Sequence, residues 1–173
     1  ALGCAVKPAP NSTSRHHAVT NLITSTAREF GMEVWQEPRL DAFGNFGPDL
    51  LIFATSHKAP KNLVADLKSV SSLSKSNILS DKTESREIDV EKRYADFARA
   101  VDASLVTAQV STTGEFSKGM RTLIEAISQG DTKIADTLSV RIKNIHFKFT
   151  SLILRHMWRS ACLLYTSPSP RDE

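Results

Sequence analysis

The chain has 173 residues, 40% of them apolar and 24% charged, with a formal net charge of +3. That length and balance describe one folded domain able to bury a core, and they exclude disorder of the whole chain. No stretch reaches the roughly 20 consecutive apolar residues that a bilayer-spanning helix requires, so no membrane partner is expected. Two cysteines, Cys4 and Cys162, lie at opposite ends and make no disulfide framework, which points to a reducing compartment. The chain starts Ala-Leu-Gly-Cys without a methionine and reads as cut from something longer.

Residues 1–14 are rich in Pro, Asn, Ser and Thr and read as a linker, the remnant of an upstream region. "RHHAVTNLITSTAREFG" follows, with Val19, Leu22, Ile23, Thr26, Ala27 and Phe30 on one helical stripe, Ser14 as N-cap and Gly31 as the stop. "MEVWQE" alternates as a short strand, and "PRLDAFGNFG" has the residues of a turn region. "DLLIFA" is a continuous apolar run that predicts a buried strand. The hairpin-length "SHKAPKN" joins it to a further strand, "LVADLKSV". Ser69 to Ser80 is polar and reads as a mobile loop.

A helix is expected over "ESREIDVEKRYADFARAV", where Val90, Tyr94, Phe97, Ala98 and Val101 share a face. "SLVTAQV" predicts a fourth strand, and two helices around Phe116–Ser128 and Thr132–Arg159 finish the domain, residues 15–161. "CLLYTSPSPRD" reads like a translated sequencing-library adapter, so residues 162–173 are treated as a disordered tail. Three early strands with short connections predict a mixed sheet, and the later helix–strand crossover adds a parallel strand. The expected fold class is an α/β sandwich with the first and second helices on its faces.

Ionised groups sit inside these strand-like runs, where each must be paired, hold a metal or do chemistry. Side chains alternate across a strand, so Asp66 and Lys68 point to one face with Val64 and Val70, while Ala65 and Leu67 point to the other. If the two runs are neighbours, Asp49 approaches Asp66. Two close carboxylates repel unless a divalent cation sits between them, and Mg²⁺, with Mn²⁺ as a substitute, suits such hard oxygen donors. The Leu67 carbonyl is placed to add an oxygen. Lys68 then stands beside a phosphate, to orient an attacking water or neutralise charge in the transition state. The competing reading is an Asp49 that opens a strand and an Asp66–Lys68 pair on a solvated sheet face.

Pro48-Asp49 followed by Asp66-Leu67-Lys68 in this helix–strand order resembles the PD-(D/E)xK restriction-endonuclease-like superfamily. More closely, "RHHAVTNLI", "FGMEVWQEP", "GPDLLIF" and "VADLKSV" are similar to the restriction-like endonuclease domain of site-specific non-LTR retrotransposons. The positions that match are Arg15, His16, Glu37, Pro38, Pro48, Asp49 and Asp66. The resemblance implies a restriction-endonuclease-like sandwich, a helix–three strands–helix–strand core with extra C-terminal helices. It also implies metal-dependent nicking of DNA to prime reverse transcription, with a reverse transcriptase region upstream in the same polyprotein. The location implied is nuclear for a eukaryotic retroelement and otherwise intracellular. The family's Cys-Cys-His-Cys zinc knuckle is represented here by Cys4 alone, so no zinc site can be assembled from this chain. Lysine placement varies in the close relatives, and Lys68 rests on the wider superfamily pattern.

Glu37 is either a third metal carboxylate or a surface glutamate before a proline turn. Arg15 and His16, ahead of a helix N-terminus that attracts phosphate, are candidates for DNA contact. The last helix carries Lys133, Arg141, Lys143, Lys148, Arg155 and Arg159 against Asp136, a basic face that either tracks a phosphate backbone or is simply solvated. The leading expectation is a Mg²⁺-dependent DNA endonuclease. The alternative is a nuclease-fold module without catalysis that binds nucleic acid or acts structurally.

Overall fold

The computed structural model describes residues 12–40, 43, 47–54, 61–70, 81–111 and 113–166. Along the chain run α1 (Ser12–Glu29), β1 (Glu33–Gln36), β2 (Leu50–Phe53), β3 (Asn62–Val70), α2 (Asp81–Ala100), β4 (Ala103–Ser111), α3 (Lys118–Ser128) and α4 (Thr132–Thr166). The four strands form one mixed sheet in the order β1-β2-β3-β4. β1 and β2 pair antiparallel, as do β2 and β3, while β3 and β4 are parallel across the α2 crossover. This is a mixed α/β fold, as the order of apolar runs predicts.

Alternation along β2 and β3 sorts the core into two layers. Leu50, Ile52, Leu63, Ala65 and Leu67 pack with Val19 and Ile23 of α1, Leu123 and Ile127 of α3 and Ile142 of α4. Leu51 and Val64 point the other way, against Phe97 and Ala98 of α2. Both faces of β2 and β3 are therefore covered, which explains why "DLLIFA" is apolar without interruption. Tyr94 belongs to the buried face of α2, and its hydroxyl donates to the Gly47 carbonyl at 3.2 Å.

Helix ends differ from the expectation by two or three residues at the starts of α2 and α3, and more consequentially in α1 and α4. α1 begins at Ser12, so Ser14 is not its N-cap, and Arg15 and His16 lie within its first turns rather than ahead of them. Asn11, Ser12, Thr13 and Ser14 all offer capping oxygens, and composition cannot choose among adjacent candidates. α4 continues to Thr166, into the segment expected to be disordered, because Ala161, Leu163 and Leu164 readily propagate a helix that is already nucleated. α3 is capped as its sequence allows, with Ser117 Oγ accepting the Met120 N–H and left-handed Gln129 and Gly130 ending it. Most of the expected linker, the Ser-rich stretch from residue 71 to 80 and residues 167–173 lie outside the described residues. Among the described residues no helix is long and apolar enough to cross a membrane.

Candidate functional site

The β2–β3 register pairs Leu50 with Ala65, so the next step along each strand sets Asp49 beside Asp66. Leu51 and Val64 mark the α2 face of the sheet, and by alternation Asp49, Asp66 and Lys68 share it. β2 ends its pairing at Ala65, which leaves the next residues of β3 without a strand on that side. Asp49 fills the gap: its Oδ2 accepts the Leu67 backbone N–H at 2.5 Å. A strand residue's N–H and C=O point to the same side, so the Leu67 carbonyl faces this edge as well.

Asp49 is held on two further sides. Its backbone carbonyl accepts the Glu37 N–H at 2.9 Å, and its Oδ1 stands 3.2 Å from His16 Nε2. The hydrogen bond to Asp49 raises the His16 pKa above its ordinary value, against an opposing effect of burial. Glu37 has a φ of 45°, and the chain then passes close to Gly47, where an added Cβ would lie 1.9 Å from the Pro38 carbonyl oxygen. Only glycine permits that approach, and the approach brings Pro48 and Asp49 back beside Glu37.

Asp66 is 2% exposed and lies beneath Lys68, whose side chain is 41% exposed. The Lys68 ammonium donates to Oδ1 at 3.0 Å and stands 2.9 Å from Oδ2, a contact whose direction makes no hydrogen bond. Burial raises the Asp66 pKa, and the Lys68 hydrogen bond and charge only partly oppose it. Above this pair opens a groove of about 470 Å³ lined by Arg15, His16, Glu37, Asp49, Leu67 and Lys68 among others. The residues singled out for metal binding, catalysis and DNA contact on α1 and the first three strands thus line one groove or, for Asp66, lie directly under its lysine, whereas the basic residues of α4 do not line it. The Glu37 carboxylate lines the groove without joining the two aspartates: among the described residues no three histidine, cysteine or acidic side chains converge as metal ligands.

Arg15 is mostly buried, and its Nε has no hydrogen-bond partner among the described residues. Burial lowers its pKa from the ordinary arginine value. Two residues the sequence reading passed over complete the surroundings. Gln109 is the β4 residue in register with Lys68, buried, with its Nε2 unpartnered among the described residues. His146 of α4 is 1% exposed and lines a small cavity with His16, Leu67 and Lys68. Burial first, and the Arg15 charge second, push its pKa down to about 4. A signal was available for His146, a polar side chain on the otherwise apolar stripe of Leu138, Ile142, Ile145 and Phe149; Gln109 shares its strand face with Thr107 and Ser111 and carried none.

No protein-family model matches the sequence, and a search of curated proteins finds no significant match.

Proposed function

We propose that this chain is a divalent-metal-dependent DNA endonuclease domain of the restriction-endonuclease-like kind, from a retrotransposon-type polyprotein. The observation that carries this reading is the meeting of Asp49, Asp66 and Lys68 on one sheet face at the floor of an open groove. Asp66 Oδ2, buried, has among the described residues no hydrogen bond and only the ionic contact of Lys68, and a hard cation would satisfy it. Asp49, Asp66 and the Leu67 carbonyl would hold Mg²⁺ or Mn²⁺. When bound, the ion supplies Lewis acidity toward a phosphoryl oxygen and lowers the pKa of a coordinated water.

The chain's own groups divide the remaining work. His16 orients the Asp49 carboxylate through the Nε2 contact. Arg15 and His16, on the first turns of α1, offer N–H groups and positive charge to a backbone phosphate lying in the groove. Lys68 reaches from Asp66 to the groove, where its ammonium orients the attacking water or offsets charge gathering on the phosphoryl group.

A second reading, a module that binds nucleic acid without cutting it, draws support from the same lysine: Lys68 already neutralises Asp66 without any metal. Plasmid nicking separates the two. The endonuclease reading expects Mg²⁺-dependent conversion of supercoiled to open-circle DNA, reduced at least about 100-fold by Asp49→Asn or Asp66→Asn. Salt-sensitive DNA binding with no metal-dependent nicking establishes the second reading instead.

A further inference from the structure

α4 turns Leu138, Ile142 and His146 toward the rest of the domain. At about 100° per residue, Val140, Phe147, Leu154 and Trp158 fall on the opposite side of the helix. Val140, Phe147 and Leu154 are each more than half exposed, and Trp158 is three-quarters exposed. Single exposed apolar residues are ordinary, but a row of four along one line is not. Val140, Phe147 and Leu154 repeat every seven residues and supply one of the two core positions per heptad that face a companion helix, the other being Asn144, Ser151 and Trp158.

Charge follows the same period. Arg141, Lys148 and Arg155 each come directly after a member of the apolar row, and all three are exposed. One flank of the row is therefore a line of cations about 21 Å long, at 1.5 Å of rise per residue. The other flank has Lys143, whose ammonium lies over the Phe116 ring at 5.2 Å, and the half-buried Thr150. Asp136 is the single acidic residue of α4.

We propose that this face of α4 docks an acidic amphipathic helix of a partner protein. The apolar row forms the seam, and Arg141, Lys148 and Arg155 meet carboxylates along the partner's flank. The inference is independent of the nuclease reading, since it uses no residue of the groove. Charge decides against a second copy of this chain: in either orientation two such helices offer the cation row no carboxylate beyond Asp136. Width decides against a bilayer surface, because Asn144 and Ser151 interrupt the apolar side and leave it one residue wide. A phosphate backbone would satisfy the cations yet leave Phe147 and Leu154 in water.

The test titrates the full chain into a fluorescein-labelled synthetic peptide of about four heptads, with leucine at a and d and glutamate at e and g. Glutamate on both flanks keeps that peptide from pairing with itself, and a lysine-flanked peptide is the control. Anisotropy is expected to report binding of the acidic peptide only, weakened at least about tenfold by the Phe147→Ser/Leu154→Ser double variant. Arg141→Glu/Lys148→Glu/Arg155→Glu is expected to transfer preference to the lysine peptide. All five positions face solvent, so the packed row of Leu138, Ile142 and His146 is left intact. Equal binding of the acidic peptide by the wild type and the Phe147/Leu154 variant overturns the proposal. So does sedimentation of the free chain as a dimer that this variant dissociates, or capture by anionic phospholipid vesicles with no peptide binding.

Discussion

The Lys68 ammonium stands 2.9 Å from Asp66 Oδ2, an oxygen buried in the sheet that accepts no hydrogen bond. A carboxylate so placed depends chiefly on that ammonium, because it is buried and, among the described residues, no hydrogen-bond donor reaches that oxygen. The pair is asymmetric: Lys68 can turn toward solvent, and Asp66 cannot.

Removing the lysine therefore exposes the cost of the acid. Lys68→Met is expected to destabilise the fold at neutral pH by about 2 kcal/mol, since a buried charge is left alone. The raised Asp66 pKa sets the sign of the pH dependence. The acid's contribution is fully favourable below its unfolded pKa and is lost as pH rises through the higher folded value. The deficit of Lys68→Met should accordingly shrink toward acid pH. Urea denaturation of both proteins at several pH values measures it, and a deficit independent of pH would refute the assignment to Asp66.

Removing the charge from Asp66 should act in the opposite direction. Asp66→Asn keeps the shape of the side chain and leaves Lys68 free to hydrate, so the fold is expected to gain roughly 1 kcal/mol at neutral pH. If the proposed site holds the ion, Mg²⁺ should raise the melting temperature of the wild type clearly more than that of Asp66→Asn, which keeps Asp49 and the Leu67 carbonyl but loses one charged ligand. Equal Mg²⁺ shifts in both proteins would place the ion elsewhere.

His16 reports on Asp49. Its pKa is raised first by the hydrogen bond to the Asp49 carboxylate. The stabilisation from that pair is complete below the unfolded histidine pKa and disappears as pH rises through the folded one. In an NMR titration of the imidazole, Asp49→Asn should bring the His16 midpoint down. An unchanged midpoint would mean that the 3.2 Å contact is not made in solution.

His146 titrates with the opposite sign. With its folded pKa pushed down to about 4, neutral His146 contributes stability above pH 6.5 that is lost as pH falls toward 4. The whole effect is on the order of 3 kcal/mol. His146→Leu should flatten the acid limb of the stability curve across that window. An acid limb as steep as that of the wild type would assign acid unfolding to other groups.

Gly47→Ala tests how Asp49 is positioned. An added Cβ meets the Pro38 carbonyl at 1.9 Å, so backbone has to move, at a cost of about 2–3 kcal/mol. The loss should appear as a lower melting temperature together with a His16 midpoint shifted toward that of Asp49→Asn. A variant as stable as the wild type would show that the close approach of Gly47 to Pro38 does not hold Asp49 in place.

Much of this architecture was readable from residue order. The apolar run "DLLIFA" announced a buried strand and "LVADLKSV" the strand after it, and Val90, Tyr94, Phe97 and Ala98 announced the inner side of α2. Strand alternation alone put Asp66 and Lys68 on one face. Local periodicity suffices for such statements because the backbone repeats every two or 3.6 residues wherever it is regular.

Pairing between distant segments carries no such period. That Asp49 bonds the Leu67 N–H, that His16 reaches Asp49, and that Gln109 lies in register with Lys68 follow from strand register and from the packing of α1 on the sheet. His146 is further still: it is one histidine on the apolar side of α4 until the fold carries that helix beneath the groove. Burial is likewise a property of the assembled layers, and it sets the direction in which Asp66 and His146 shift. Sequence by itself determined which side chains share a face of each element; tertiary structure decided which faces meet and which charges lose their water.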